Sequence, residues 1–322
     1  MRTATLHLVA AVYAAVTLVV QLIWWAFGDV WWLQPINLTT FWWTVPSVAL
    51  LLAALIWRRW SLVLLFAVPG ALFLWAYGGQ FVPAAAALSD ADVRVATFNT
   101  WVHAPGVDHV VDVATTSDAD VLLLQEVFPE RFEALERALG ERYPHGWHAR
   151  RTDSVGGVAV LSRYPITATV DVDAGGHSRT TGVVTLDVAG RPLQVVPLHL
   201  VSPCPGCGRS LSERLTFEAS TRRAEIAAVT ERLVPGVPAV VGGDLNSNDR
   251  SDAYRSLVAA GFDDPHRQVG SGPGFTWPGR GPTPLLRIDW ILTRGVDPVA
   301  EWVGGADGSD HRPVVVDIAF RD

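Results

Sequence analysis

Three long apolar runs without one charged side chain crowd the start of this chain, and they constrain it more than any other feature. They span residues 5–27, 38–57 and 60–77, the last interrupted by Pro69–Gly70. A helix needs roughly 20 predominantly apolar residues to cross a bilayer, and each run approaches that length. The first is too long for a signal-peptide core and is followed by two more, so three transmembrane helices are expected. Residues 1–88 hold only four charges, Arg2, Asp29, Arg58 and Arg59. The arginines fall before the first run and between the second and third. The positive-inside rule places them in the cytoplasm and leaves the rest of the chain outside, as a multi-pass cell-membrane protein with an extracytoplasmic domain. Nine of the fourteen Trp lie in this segment. Trp24, Trp25, Trp31, Trp32, Trp42, Trp43, Trp75 and Tyr77 then fall at the outer interface, and Trp57 and Trp60 at the inner one.

Past the apolar runs the composition changes. The whole chain carries −7; the first segment contributes +2, so residues 89–322 carry −9. Hydrophobic residues make up 49% of the chain, which excludes disorder as the dominant state. Two Cys exclude a disulfide-framework miniprotein. The expected organisation is a membrane anchor over 1–82, a linker over 83–91 and a globular domain over 92–322. The Ala-rich stretch 83–89 is about seven residues and reaches at most roughly 25 Å.

Within the globular part, short apolar runs bounded by turn formers predict strands at 93–98, 121–125, 157–161, 181–188, 193–198, 237–241, 288–292 and 313–319. A helix is expected at 132–139. The clearest helix lies between Ser212 and Val234, with Leu215, Ala219, Ile226, Val229 and Leu233 on one face, Ser212 as its cap and Pro235–Gly236 as its stop. Such a mixture of strands and helices suggests an α/β sandwich.

Polar residues gather where these strands end. Asn99 follows Thr97–Phe98, Glu126 follows Leu124–Gln125, and His199 follows Leu198. Asp244 and Asn246 follow Gly242–Gly243. Asp289 sits within Ile288–Trp290, and Asp310–His311 precede the last strand. Strand ends at one sheet edge are where α/β folds place ligand sites. Converging carboxylates repel one another unless a cation sits among them, and oxygen ligands select a hard cation, Mg²⁺ first and Mn²⁺ or Ca²⁺ next. Taken singly, each residue has an ordinary explanation as a turn or a solvated loop; the ordered set does not.

The segments Ala-Thr-Phe-Asn99, Leu-Leu-Gln-Glu126, Gly-Val-Ala-Val-Leu-Ser-Arg-Tyr-Pro, Pro-Leu-His199-Leu, Gly-Gly-Asp244-Leu-Asn246, Arg-Ile-Asp289-Trp-Ile-Leu and Gly-Ser-Asp310-His311-Arg-Pro resemble the endonuclease/exonuclease/phosphatase superfamily over about residues 92–320. The resemblance implies a four-layer α/β/β/α sandwich and cleavage of phosphate esters with Mg²⁺ or Mn²⁺. It implies Glu126 as main metal ligand, with Asn99 and Asp310 nearby. Asp244 would orient or deprotonate the attacking water, and Asn246 would hold the phosphate. Asp289 and His311 would form a dyad, and His199 would stabilise the transition state or protonate the leaving oxygen. Trp101 stands where some relatives carry a second metal-binding Asp, which implies a single-metal site.

Arg179 is a candidate phosphate contact, with an ordinary exposed arginine as the alternative. Phe275 and Trp277, in the Gly- and Pro-rich stretch 263–284, are candidates for the substrate entrance, with core packing as the alternative. Cys204 and Cys207 suggest a small disulfide in an extracytoplasmic domain; a zinc site lacks further ligands and a redox motif lacks its βαβ setting. The three-span architecture resembles teicoplanin-resistance proteins of VanJ type, which points to undecaprenyl pyrophosphate or a related lipid as substrate. The partners expected are that lipid phosphate and the bilayer. The −9 charge argues against a stable nucleic-acid partner. A tethered extracellular endonuclease, a sphingomyelinase-like phosphodiesterase and an inactive binding module are the competing readings.

Overall fold

A computed structural model describes residues 2–30, 32–82, 90–149, 155–173, 175, 180–202, 220–281, 283–305 and 308–321. Arg179, Cys204 and Cys207 lie outside the described residues, as does the linker stretch 83–89. The described residues form two compact units, dividing after Val82.

The first unit is helical: α1 (Arg2–Phe27), α2 (Gln34–Leu38), α3 (Thr40–Thr44), α4 (Pro46–Ile56) and α5 (Trp60–Tyr77), the last continued by a 3₁₀ turn at Gly78–Phe81. Two helical stretches, Ala4–Phe27 and Trp60–Phe81, are long and apolar enough to cross a membrane. Of the three spans expected, these two reach that length. The middle run forms a shorter apolar stretch, Thr40–Ile56, broken between α3 and α4. Pro46 opens α4 at a first-turn position, where its missing N–H costs nothing, but that same lack prevents α3 from running on unbroken. Ala10, Ala54, Leu62 and Phe66 make the small core of this unit. The Tyr13 hydroxyl donates to the Trp43 carbonyl at 2.9 Å. Many other Leu, Val and Trp side chains, among them Leu8, Val12, Leu52, Leu64 and Trp75, are exposed.

The second unit holds two sheets. One has the strand order β10-β11-β1-β2-β4-β3 and the other β5-β6-β7-β8-β9. The ranges are β1 (Val93–Asn99), β2 (Val121–Val127), β3 (His145–Ala149), β4 (Gly157–Ser162), β5 (Ile166–Val172), β6 (Thr181–Val188), β7 (Arg191–His199), β8 (Ala239–Asp244), β9 (Asp289–Arg294), β10 (Val296–Val303) and β11 (Val314–Phe320). Val95, Leu123 and Val160 of the first sheet meet Val184, Leu193, Val195, Val240 and Ile291 of the second in one buried cluster. Helices α6 (Asp108–Ser117) and α7 (Pro129–Leu139) pack Val110, Val113 and Leu135 on Phe98, Leu122 and Leu124. Helices α8 (Ser220–Arg232) and α9 (Asp252–Ala259) pack Ile226, Val229 and Leu257 on Val196, Leu198 and Val241. The domain is thus a mixed α/β unit with two sheets flanked by helices. Alternate strand residues serve the inter-sheet and helix-facing cores, as the two-residue period of a strand requires.

The predicted strands all form, and Ile226, Val229 and Leu233 are buried as expected. The predicted cap Ser212, with Leu215 and Ala219, lies outside the described residues. The stretch 263–284, read as a loop, includes a short helix, α10 (Pro265–Val269), capped by the Asp264 carboxylate. A buried ion pair lies beside it: Arg287 donates to both Asp264 oxygens, at 2.9 and 3.0 Å, and its guanidinium lies 3.8 Å over the Trp290 ring.

Candidate active site

The strand arrangement explains why the polar residues converge. Each sheet has one parallel pair, β1 with β2 and β7 with β8. Parallel neighbours end at the same edge, so Asn99 lies opposite Gln125, and His199 opposite Asp244. The antiparallel neighbours begin where those strands end. Asp289 opens β9 opposite Asp244, and Asp310–His311 lead into β11 beside the end of β1.

Backbone irregularities aim the side chains. The β2–β4 register shifts between Gln125 and Val127, leaving Glu126 in a bulge at φ 60°. A bulge re-aims a side chain out of the pleat. Asn246 is also left-handed, at φ 49°. Such conformations in non-glycine residues cost about 1 kcal/mol or more and persist only where surroundings fix them. Gly243, next to Asp244, has φ 155°, and a Cβ there would lie 1.8 Å from the Leu198 carbonyl oxygen, so only glycine allows the β7–β8 approach.

The side chains interlock across both sheets. Asn99 Nδ2 donates to Glu126 Oε1 at 3.2 Å and to Asp244 Oδ2 at 3.1 Å. Glu126 Oε2 accepts from the Val102 N–H at 2.6 Å. His199 Nε2 lies 3.7 Å from Glu126 Oε1 and 3.6 Å from Asp244 Oδ2. Asn246 donates its backbone N–H to Asp244 Oδ1 at 2.8 Å and its side-chain amide to Asp244 Oδ2 at 3.2 Å and to the Leu200 carbonyl at 3.0 Å. His311 Nδ1 bonds the Asp289 carboxylate at 2.8 and 3.0 Å, while its Nε2 lies 3.8 Å from Asp244 Oδ2. The Asp289–His311 pairing is therefore formed, and it meets Asp244.

Burial pushes the Asp244 carboxyl up to about 7; the His311 charge opposes that and the Asp289 charge adds to it. Burial disfavours the charged His311 ring, but the carboxylates of Asp289 and Asp244 outweigh it and raise the imidazole to about 10. Both directions follow from several carboxylates sharing a dry site.

Asp244, Asp289 and His311 each offer a ligand atom within 4.8 Å of the others, a candidate site for a divalent cation. A second observation fits a cation. Asp310 Oδ1 is buried with no hydrogen-bond partner among the described residues. His311 Nε2 lies 4.0 Å from it, beyond hydrogen-bond reach, so the oxygen has room for a cation as a closer partner.

Residues 96–311 match the Endonuclease/Exonuclease/phosphatase family. The chain belongs to this family. The family match and the Asp244, Asp289 and His311 cluster make the domain a metal-dependent phosphoesterase. The uncharacterized protein YbhP of Escherichia coli (strain K12) is 27% identical over 238 residues, covering 64% of this chain and 86% of YbhP. An endonuclease/exonuclease/phosphatase structure from Bacteroides vulgatus superposes with TM-score 0.60 at 20% identity, over 71% of this chain and 99% of that one. The mannosyl-6-phosphatase of Bacteroides thetaiotaomicron VPI-5482 gives 0.54 at 17% identity, over 71% of this chain and 100% of that one. Truncated TDP2 of Caenorhabditis elegans gives 0.55 at 17%, over 70% and 97%. At these identities the structural likenesses establish the fold alone.

The structure brings Asn99, Glu126, His199, Asp244, Asn246, Asp289, Asp310 and His311 together at strand ends of the two sheets. Trp277 is 36% exposed, on a segment whose neighbours bond the site: the Thr276 hydroxyl accepts from the Asp289 N–H at 3.2 Å, and the Gly279 N–H donates to the Asp310 carbonyl at 2.5 Å. Phe275 is half-buried.

Some residues that brace this site were not evident from the sequence. Arg131 on α7 donates to the carbonyls of Trp101, Glu126 and Ala104 and so holds the loop after Asn99. Ser309 is buried, donates to the Asn99 carbonyl at 2.7 Å and accepts from the His311 N–H at 3.1 Å. Arg222 on α8 donates to the Asn246 carbonyl at 3.1 Å. All three act on main-chain atoms, which leave no residue pattern to read. The Ser-Asp-His sequence was the only signal for Ser309.

Proposed function

We propose that this chain is a membrane-anchored phosphoesterase whose catalytic domain lies outside the cytoplasm and hydrolyses a lipid phosphate or pyrophosphate such as undecaprenyl pyrophosphate. The observation that carries the hydrolytic part is the edge cluster itself, in which Asn99 ties Glu126 of one sheet to Asp244 of the other. The anchored part is supported by the exposed Leu and Val of α1 and α5, a surface that water does not tolerate over large areas. With the shorter stretch Thr40–Ile56 crossing as a third span, Arg2, Arg58 and Arg59 all fall on the cytoplasmic side and support the orientation. The alternation of three apolar cores supports a four-layer α/β/β/α order.

In this reading Glu126 would hold one Mg²⁺ or Mn²⁺, with Asp310 and Asn99 near it, and Asp244 would face the ion from the Asp244, Asp289 and His311 cluster, whose Asp289 and His311 are tied to one another. The cation supplies charge neutralisation at the phosphate oxygens. Asp244, fixed by two donors from Asn246, orients a water and takes its proton. The Asp289 carboxylate fixes the His311 ring, leaving Nε2 toward the reaction centre as a cationic phosphate contact. His199, beside Glu126 and Asp244, stabilises charge or protonates the leaving oxygen. Asn246 steadies the phosphate. A surface tether raises the effective concentration of membrane-bound substrates and does much less for a soluble polymer.

The test is a side-by-side assay of purified full-length protein in detergent with Mg²⁺ or Mn²⁺. We expect phosphate release from a polyprenyl pyrophosphate and little nicking of plasmid. Efficient plasmid cleavage with an inert lipid pyrophosphate would replace this reading with that of a tethered nuclease.

A further inference from the structure

Trp101 occupies an unusual position. It has φ 57°, a left-handed conformation that a tryptophan adopts only under constraint. Both its main-chain groups are pinned: its N–H donates to Asn99 Oδ1 at 3.0 Å, and its carbonyl accepts from Arg131 at 3.0 Å. The ring is half-buried, with His103 edge-on at 5.7 Å. On its face lies the Arg280 guanidinium, 3.8 Å from the ring centroid.

Arg280 is held on the same side of the site by its own segment. Its neighbour Gly279 donates to the Asp310 carbonyl, and a Cβ on Gly279 would lie 2.6 Å from the His311 main chain, so the segment touches the site backbone directly. Arg280 Nη2 donates to the Gly308 carbonyl over 3.5 Å, a long contact. Among the described residues no carboxylate pairs with Arg280, whereas Arg94, Arg163, Arg191, Arg223, Arg267 and Arg287 each have one. The side chain is exposed, in a domain of net charge −9. A left-handed, doubly anchored aromatic, bonded to Asn99, thus carries a cation whose own segment bonds Asp310, and among the described residues no carboxylate pairs with that cation. Guanidinium stacked on an aromatic is pre-organised for bidentate contact with phosphate oxygens.

We propose that Arg280, held over the Trp101 ring, is a specificity-determining residue that binds the second, non-reacting phosphate of a diphosphate substrate. This rests on the lipid-pyrophosphate reading above and sharpens it: a monoester leaves Arg280 without its anion, and a diphosphate engages it. Trp101 acts as a positioning residue through Arg280.

The test is calorimetric binding of methylenediphosphonate and of inorganic phosphate to full-length protein in Mg²⁺, for wild type, Arg280→Gln and Arg280→Lys. Chelation of Mg²⁺ by the diphosphonate is common to all three and cancels in the comparison. Loss of one charged bidentate contact predicts that Arg280→Gln weakens diphosphonate at least about tenfold more than phosphate. Arg280→Lys, which keeps charge but not the planar fork, falls between. An unchanged melting temperature in each variant shows that folding is not the cause. A wild-type preference for diphosphonate that survives intact in Arg280→Gln overturns the role of Arg280 alone. A wild type with no such preference overturns the diphosphate reading with it.

Discussion

Apolar side chains point in opposite directions in the two parts of this chain. In the helical unit Leu64 is 75% exposed, while in the α/β unit Leu123 is fully buried between the sheets. Composition already separates them, since residues 1–88 hold only four charged side chains, and patterning shows what each part packs against. The α/β unit alternates faces along each strand and covers both with cores. Helices α1 and α5 are apolar nearly all round, and among the described residues too few neighbours cover them. A helix that satisfies its own backbone needs no water, and in our reading lipid is its solvent.

The sharpest form of this contrast is functional: chemistry resides only in the inward-packed unit. Asp289→Asn and His311→Ala should each lower turnover at least about a hundredfold, the scale for removing a transition-state stabiliser. The double variant should lose little more than either single one, because the pair acts as a unit. Steady-state kinetics with a soluble phosphoester reads this directly. Additive losses would show that the two residues act independently.

Stability separates the regions next. Leu123→Ala empties a site between the sheets and should cost about 2–5 kcal/mol. Leu64→Ala, on the exposed face of α5, should change stability in detergent by no more than about 0.5 kcal/mol. Urea denaturation of the full-length variants compares them, and equal losses would break the contrast.

The smallest effect is acid sensitivity. Burial raises the Asp264 carboxyl, but the charge and hydrogen bonds of Arg287 outweigh it, and its pKa lies below the ordinary value. A group depressed in the folded state gives stability that is complete above the unfolded pKa of about 3.9 and is lost as pH falls through the folded value. Wild type should therefore lose stability more steeply below about pH 4 than Asp264→Asn. Parallel acid limbs in urea midpoints would count against the pairing.

How much of this could be read from the chain depends on what each residue touches. Strands β1, β2, β7 and β8 were legible because buried runs such as Val121–Gln125 end abruptly in polar residues. The edge strands β3 and β5 were not, since His145–Ala149 and Ile166–Val172 are largely half-exposed and lack an apolar run. Helix α6 was hidden by Asp108, His109 and Asp112 among its valines. The break at Pro46 was visible as a residue but was outweighed by the length of the apolar run. In the site, residues that present carboxylate, amide or imidazole were legible from their place after a strand. Residues that act on main-chain atoms were not, as Arg131 and Ser309 show. The left-handed backbone of Glu126 was equally silent, because the bulge that produces it is a property of the β2–β4 pairing.

The central claim is that carboxylates from both sheets assemble a cation-dependent phosphoesterase, and Glu126 is where it is most exposed to test. Glu126→Gln removes one negative charge at nearly constant shape. The deciding measurement is phosphate release by purified full-length wild type and Glu126→Gln, in Mg²⁺ or Mn²⁺, after EDTA, and after the metal is restored. The account predicts turnover by wild type that EDTA abolishes and added metal recovers, with Glu126→Gln slower by at least about a hundredfold. Turnover that persists in EDTA, or that survives Glu126→Gln undiminished, would contradict it.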